Sequence, residues 1–376
     1  MEPTRGGGYR WDAPAVRALE EELVRASQAG LPVILVLHGS PAWAVVPYQA
    51  DCAPIAPEFH PDFARFAAEA ARRYSAPPFN VRFWEIGNEP DAFIFASDSP
   101  YGCWGRVDEP LYGGQAFGAL LNAVYPAIKG VNPELQVIHG GLLLDRPYNS
   151  STDQGRSARF LEGVLEAGGG RSFDILAFHS YSYYNGTPDG TAGPEDWKPA
   201  YLRGLLARYG LTKPLIKTES ALLCLAASPE CAQAQADAIP RLAVRALRDD
   251  LLSSVWYIYD SDSFHRTALL EPTSPDVLRP AYTAFAYAAR ALGGYRYDAP
   301  VPDLALAEGH RLRRGREALI VVWANAPRQV SLLLGQATSL HCAEADGRLF
   351  PCVAERGRLM LMAAPAPRYI SFLASN

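Results

Sequence analysis

Residues 81–91 read Val-Arg-Phe-Trp-Glu-Ile-Gly-Asn-Glu-Pro-Asp. The segment opens as a short apolar run and closes on a proline, which has no amide hydrogen to give a sheet ladder. A strand carried by Val81, Phe83 and Trp84 is therefore expected to stop before Pro90, leaving Glu89 at its exit. Lys213-Pro214-Leu215-Ile216-Lys217-Thr218-Glu219-Ser220 repeats the pattern, again an apolar strand that runs from a proline into a glutamate. Four more strands are expected near Pro32 (PVILVLH), Gln136 (QVIHGGL), Asp174 and Ser254. The starts lie about 40 to 55 residues apart, which leaves room for a crossover helix between neighbours. Helical spacing of apolar residues predicts helices over Ala15 to Ala29, Phe63 to Tyr74, Phe117 to Lys129 and Ala238 to Leu251. Such alternation specifies an α/β fold, either a (β/α)-barrel or a doubly wound sheet. Glutamates on two well-separated strands converge only if the sheet closes, which favours the barrel.

Two carboxyl groups at strand ends are what hydrolysis of a glycosidic bond needs. One protonates the leaving oxygen while the other acts on the anomeric carbon. Their surroundings must push the two pKa values apart, so that one is an acid while the other is ionised. Asn88 stands beside Glu89, where its amide can hydrogen-bond a sugar 2-hydroxyl.

Asn88-Glu89-Pro90 after one strand and Thr218-Glu219-Ser220 after a later one resemble the retaining glycoside hydrolases of clan A. Phe178-His179-Ser180-Tyr181 is similar to that clan's sixth strand, and Val255-Trp256-Tyr257-Ile258-Tyr259 to its eighth. The resemblance covers roughly residues 2 to 290. It implies that Glu89 is the acid/base after the fourth barrel strand and Glu219 the nucleophile after the seventh. It further implies that His179 and Tyr181 line the sugar site, with Tyr181 donating to the nucleophile, and that Trp256 stacks on the sugar. Trp43, in Ser40-Pro41-Ala42-Trp43, holds a similar place after the third strand, and Trp104 lies in the loop after Glu89. Glu85 shares the strand parity of Glu89 and reads as structural. The activity implied is a retaining O-glycosidase acting on an oligosaccharide, polysaccharide or simple glycoside. A catalytically inactive sugar-binding relative and a transglycosylase with the same residues remain open beside it, as does the choice of sugar.

The strand count carries a second expectation. Segment Glu2-Pro3-Thr4-Arg5-Gly6-Gly7-Gly8-Tyr9-Arg10-Trp11-Asp12 resembles the stretch that follows the clan's second strand. The strand at Pro32 then counts as the third, and a TIM-type (β/α)8 barrel truncated by its first two strands is expected over residues 1–293. Beyond Gly294 the pattern changes to short apolar runs without helices between them. These are Leu304–Leu306, Leu319–Trp323, Val330–Leu334, Leu359–Leu361 and Tyr369–Phe372. Close spacing predicts a small antiparallel β-sandwich over residues 294–376, an accessory domain without a row of exposed aromatics.

Composition bounds the rest. The chain has 376 residues, 49% hydrophobic and 20% charged, with net charge −5. No basic cluster offers a footprint for nucleic acid, and no apolar run approaches the ~20 residues of a membrane span. Only Lys129, Lys198, Lys213 and Lys217 are lysines in an Ala/Arg-rich chain, a bias that reads as a GC-rich bacterial genome. Six cysteines fall in order as Cys52/Cys103, Cys224/Cys231 and Cys342/Cys352. If they pair so, the enzyme works in an extracellular or periplasmic space. Six unrelated thiols are the alternative. His38, His139 and His179 all lie on strands, but no His-x-His or His-Glu-x-x-His occurs, so neither a metal nor an organic cofactor is expected. Asn149-Ser150-Ser151 and Asn185-Gly186-Thr187 match glycosylation sequons, which matter only in a eukaryote. The sequence leaves the oligomeric state open.

Overall fold

The computed structural model describes residues 4–45, 53–92, 103–105, 109–144, 159–186, 197–260, 264–271 and 274–374. Each of the six segments expected as strands before residue 290 forms one. The strands are β1 (Ile34–Leu37), β2 (Phe83–Asn88), β3 (Gln136–Leu142), β4 (Ile175–Tyr183), β5 (Leu215–Leu223) and β6 (Leu251–Trp256). They make one sheet in chain order, parallel from β1 to β4, with Leu35 opposite Trp84 and Ile86 opposite His139. The helices are α1 (Pro14–Gln28), α2 (His60–Tyr74), α3 (Gly114–Lys129), α4 (Phe160–Glu166), α5 (Lys198–Arg208), α6 (Pro229–Arg248) and α7 (Pro280–Leu292). Among the described residues, from α2 to α6 an α-helix stands between each pair of consecutive strands, as crossover connections require.

Helix ends follow local chemistry. Proline opens α1, α6 and α7, where its missing N–H costs no helical bond. The helix expected over 238–251 begins earlier and stops sooner. Ser228 caps it by accepting the Cys231 N–H at 3.0 Å, and Pro229 starts it. Asp250, with φ 49°, breaks it, so Leu251 opens β6 instead. The eighth-strand segment also ends short of Tyr257, at Trp256.

The chain divides into two compact units, Met1–His179 with Lys198–Ile216, and Ser180–Trp197 with Lys217–Asn376. In the first, Ile138, Ile175, Ala177 and Ile216 pack together with Ile34 and Phe83. His139 is fully buried among the rings of Phe117, Phe160 and Phe173.

In the second unit, β7 (Leu270–Glu271) and β8 (Ser274–Leu278) pair as a short ladder. Beyond α7 come β9 (Arg296–Pro300), β10 (Ala307–Arg314), β11 (Glu317–Ala324), β12 (Arg328–Leu333), β13 (Thr338–Ala343), β14 (Leu349–Phe350), β15 (Ala354–Glu355), β16 (Arg358–Ala363) and β17 (Arg368–Leu373). They form two antiparallel sheets, β14-β13-β17-β11-β10-β9 and β12-β16-β15. The segment Leu304–Leu306, expected as a strand, is a turn, because Asp303 and Ala305 take left-handed backbone conformations. β11 is buried on both faces. Ile320 and Val322 pack against Leu332 and Leu361 of the smaller sheet. Leu319, Val321 and Trp323 join Ile239 and Leu242 of α6 and Ala288 of α7. Arg245 of α6 reaches Glu308 of β10 at 2.7 Å. Burial alone would raise the Glu308 carboxyl, but His310 and Arg245 outweigh it and bring it down to about 2.

Cys224–Cys231 and Cys342–Cys352 are disulfides, as expected from their order. Cys52, Asn149 and Thr187 lie outside the described residues.

Candidate active site

Glu89 lies one residue past β2, and its own N–H donates to Gly141 O at 3.0 Å. It reaches that place through two left-handed residues, Gly87 at φ 81° and Glu89 itself at φ 45°. A glutamate held there is strained, a condition that the surrounding bonds must enforce. Glycine suits the first position twice over, since a Cβ on Gly87 would come 3.2 Å from the Phe117 ring.

His179 of β4 places Nδ1 at 2.8 Å from Glu89 Oε1. The imidazole is 1% exposed and the carboxyl 25%, so the pair has a buried side and an open one. Room for the ring comes from β3, where a Cβ on Gly141 would stand 2.1 Å from His179 Nε2. Glu85, 1% exposed, accepts the Gly141 N–H at 2.7 Å and so braces the same glycine from β2. The structural reading of Glu85 holds.

Two residues beside Glu89 escaped sequence reasoning. Asp91 accepts the Leu143 and Leu144 N–H groups at 2.8 and 3.0 Å. Burial raises its carboxyl to about 6; the two N–H donors oppose this, Glu89 adds to it and Lys198 opposes it. Lys198, at the start of α5, donates to Leu143 O at 2.6 Å and His179 O at 2.8 Å. The available signals were the position of Asp91 just behind Pro90 and the rarity of lysine in this chain.

Asn88 ends β2 opposite Gly141 and lines a small crevice with His38, Ser40, Phe117 and Trp104. Trp43 is half-buried, edge-on to Phe59 at 5.4 Å, and lines an apolar crevice with Tyr9, Phe63 and Phe66. The two crevices share Gly39, Ser40, Ile55 and Phe63.

In the second unit the Tyr181 hydroxyl donates to Glu219 Oε2, the contact that the resemblance implied. Tyr181 packs against Phe264 with ring centroids 5.4 Å apart, and Phe264 stands at 90° to Tyr257. Glu219 is not at a strand exit, since β5 continues to Leu223 and β4 runs past His179 to Tyr183. Backbone bonding carries both strands onward, with Tyr184 N–H donating to Leu223 O at 2.9 Å. Trp256, expected as a stacking platform, is 8% exposed and donates Nε1–H to Thr267 O at 2.7 Å. It packs in a core cluster with Ile239 and Leu242 and lines a cavity with Leu251 and Ala288. Glu89, His179 and Glu219 are of metal-ligating type, and each engages a side chain here, Glu89 with His179 and Glu219 with Tyr181.

No protein-family model and no curated protein sequence matches the chain. Solved structures do. One is a family 39 glycoside hydrolase from the gut symbiont Bacteroides cellulosilyticus WH2, at 21% identity and TM-score 0.72, over 95% of this chain and 71% of that one. Another is a glycoside hydrolase family 30 subfamily 8 xylanase from Clostridium acetobutylicum, at 15% identity and TM-score 0.65, over 100% and 88%. A third is BuGH86 in complex with neoagarooctaose, at 13% identity and TM-score 0.65, over 96% and 64%. At these identities the likeness is one of fold. The chain shares its fold with glycoside hydrolases of families 39, 30 and 86, the class that its Asn-Glu-Pro and Thr-Glu-Ser motifs resemble.

Proposed function

We propose that the chain is a retaining O-glycosidase in which Glu89 is the acid/base and Glu219 the nucleophile. Strand β4 carries the reading. His179 and Tyr181 are two residues apart on it, and each engages one of the two glutamates. Alternate residues of a strand face the same side, about 6.5 Å apart at ~3.3 Å per residue. Two carboxyl groups tethered to such neighbours suit one glycosidic bond between them. Retention calls for a separation of ~5–5.5 Å, against ~6.5–9.5 Å for inversion.

Glu89 then protonates the leaving oxygen while Glu219 attacks the anomeric carbon and forms a glycosyl–enzyme ester. In the second step Glu89 takes a proton from water, which displaces Glu219 and releases the sugar with its configuration kept. Tyr181 holds the Glu219 carboxylate by a charge-assisted bond. Asn88 is proposed to bind the sugar 2-hydroxyl and Trp43 to flank the substrate. The six strands are read as the third to eighth of a barrel over residues 1–293, with residues 294–376 as an accessory β-sandwich. Two disulfides favour an extracellular or periplasmic site of action. Xylan-type and agaro-type substrates head the list to screen, because the fold neighbours include a xylanase and a complex with neoagarooctaose.

Glu219→Ala and Glu89→Ala should each lower kcat by at least ~10²-fold. Azide separates the roles. It should rescue Glu219→Ala to give the inverted glycosyl azide and Glu89→Ala to give the retained one. An inverted sugar released by the parent enzyme, seen by NMR of the first-formed anomer, would sink the mechanism.

A further inference from the structure

Asp91 and Lys198 are buried, at 4% and 6% exposure, and the two-step chemistry uses neither. Their bonds nevertheless close a ring around Glu89. Asp91 sits in the turn closed by the Ala92 N–H donating to Glu89 O at 2.9 Å. Its Oδ1 takes the Leu143 N–H and its Oδ2 the Leu144 N–H, just past the end of β3. Lys198 takes the Leu143 carbonyl and also the carbonyl of His179. The His179 imidazole returns to Glu89. Leu143 is thus gripped by a carboxylate at its N–H and an ammonium at its C=O. Leu144 is held at φ 50°, a conformation that a side-chain-bearing residue adopts only when its surroundings impose it. Apolar residues could join these chain segments at lower desolvation cost, so what two buried charges add is a fixed geometry.

We propose that Asp91 and Lys198 are positioning residues for the acid/base, fixing the ends of β2 and β3 against the middle of β4 so that His179 meets Glu89 in the geometry that delivers a proton to the leaving oxygen. The proposal rests on the reading of Glu89 as acid/base. Burial also keeps Asp91 ready to change charge near pH 6, with Glu89 of the same turn raising it and Lys198 of α5 lowering it.

A leaving-group comparison tests it. 2,4-Dinitrophenolate departs without protonation, whereas phenolate needs an acid. The probes are 2,4-dinitrophenyl and phenyl glycosides of xylose, glucose, mannose and galactose, assayed in parallel on the full chain. Asp91→Asn and Lys198→Gln should lower kcat/KM on the phenyl glycoside by about 10- to 100-fold, a fraction of what a general acid supplies. On the dinitrophenyl glycoside the loss should stay within about threefold. Equal losses on both substrates, or none, in a variant whose circular dichroism matches the parent would overturn the positioning role. Where Asp91→Asn does not fold, Lys198→Gln decides. Glu89→Ala on the same pair reports on the underlying reading. If it shows no split, the acid/base assignment fails; if it alone shows the split, that assignment stands and the positioning role falls.

Discussion

Gly141 shows how a residue without a side chain is part of the site. It sits opposite Asn88, its N–H is bonded to Glu85, its carbonyl receives the Glu89 N–H, and its missing Cβ is the space that His179 fills. Gly141→Ala would put a methyl 2.1 Å from Nε2 and 3.0 Å from Cε1 of that ring. The ring must move, and overpacking of this kind costs about 1–3 kcal/mol. Because His179 is the side chain bonded to Glu89, the proposed acid/base role has turnover falling further than stability does, by about tenfold or more. Gly204→Ala is the control. It lies in α5 with nothing within 4 Å of the added carbon, so it should leave turnover unchanged. It should add about 0.5–1 kcal/mol of stability through helix propensity. Equal turnover in the two variants would show that His179 does not need that space.

At the scale of elements, periodicity revealed the six strands of the first sheet and four of the helices, and misplaced where several of them end. The start of α6 was hidden because Pro229, Glu230 and Gln233 do not show the apolar spacing that begins at Ala238; the cap at Ser228 was the readable signal. β4 and β5 outrun their motifs because a backbone ladder, invisible in side-chain patterns, pairs them as far as Tyr184 and Leu223. The last residues of that ladder meet the Cys224–Cys231 disulfide, which ties the end of β5 to the first turn of α6 across a sequence separation of 7. In the chain-entropy model a loop this short restricts the unfolded state by about 2–3 kcal/mol. Replacing both cysteines with serine should lower unfolding stability by about that much, measured by denaturant titration. The loss belongs to this junction, so the Cys342/Cys352 double variant should be additive with it. A Cys224/Cys231 variant that unfolds at the parent's midpoint would remove the disulfide from the stability argument.

For the molecule as a whole, the alternation of elements and the two glutamates were readable because each is written locally, in a strand, a proline and a carboxylate. The Asp91 bonds were not, since they join residues 52 and 53 positions apart, and no local pattern records such pairings. Those distant bonds also shape how the first unit responds to pH. Burial among phenylalanines pushes the His139 imidazole down to about 4, against a weaker pull from Gly140 O. Its contribution to stability is therefore present above pH 6.5 and lost as pH falls through 4. Asp91 runs the other way. With its carboxyl raised to about 6, its contribution is present below the ordinary aspartate value and lost as pH rises through 6. Each shift corresponds to about 3 kcal/mol at ~1.4 kcal/mol per pH unit. Between pH 6 and 4 the two slopes offset, and the parent should change little on their account. Asp91→Asn removes one slope and leaves the other exposed. Relative to the parent, that variant should lose on the order of 3 kcal/mol of stability between pH 6 and 4. His139→Phe should gain a similar amount over the parent between pH 6.5 and 4. Urea titrations at pH 7, 6, 5 and 4 measure both, and stability curves parallel to the parent's in the two variants would show that neither group carries the pH response.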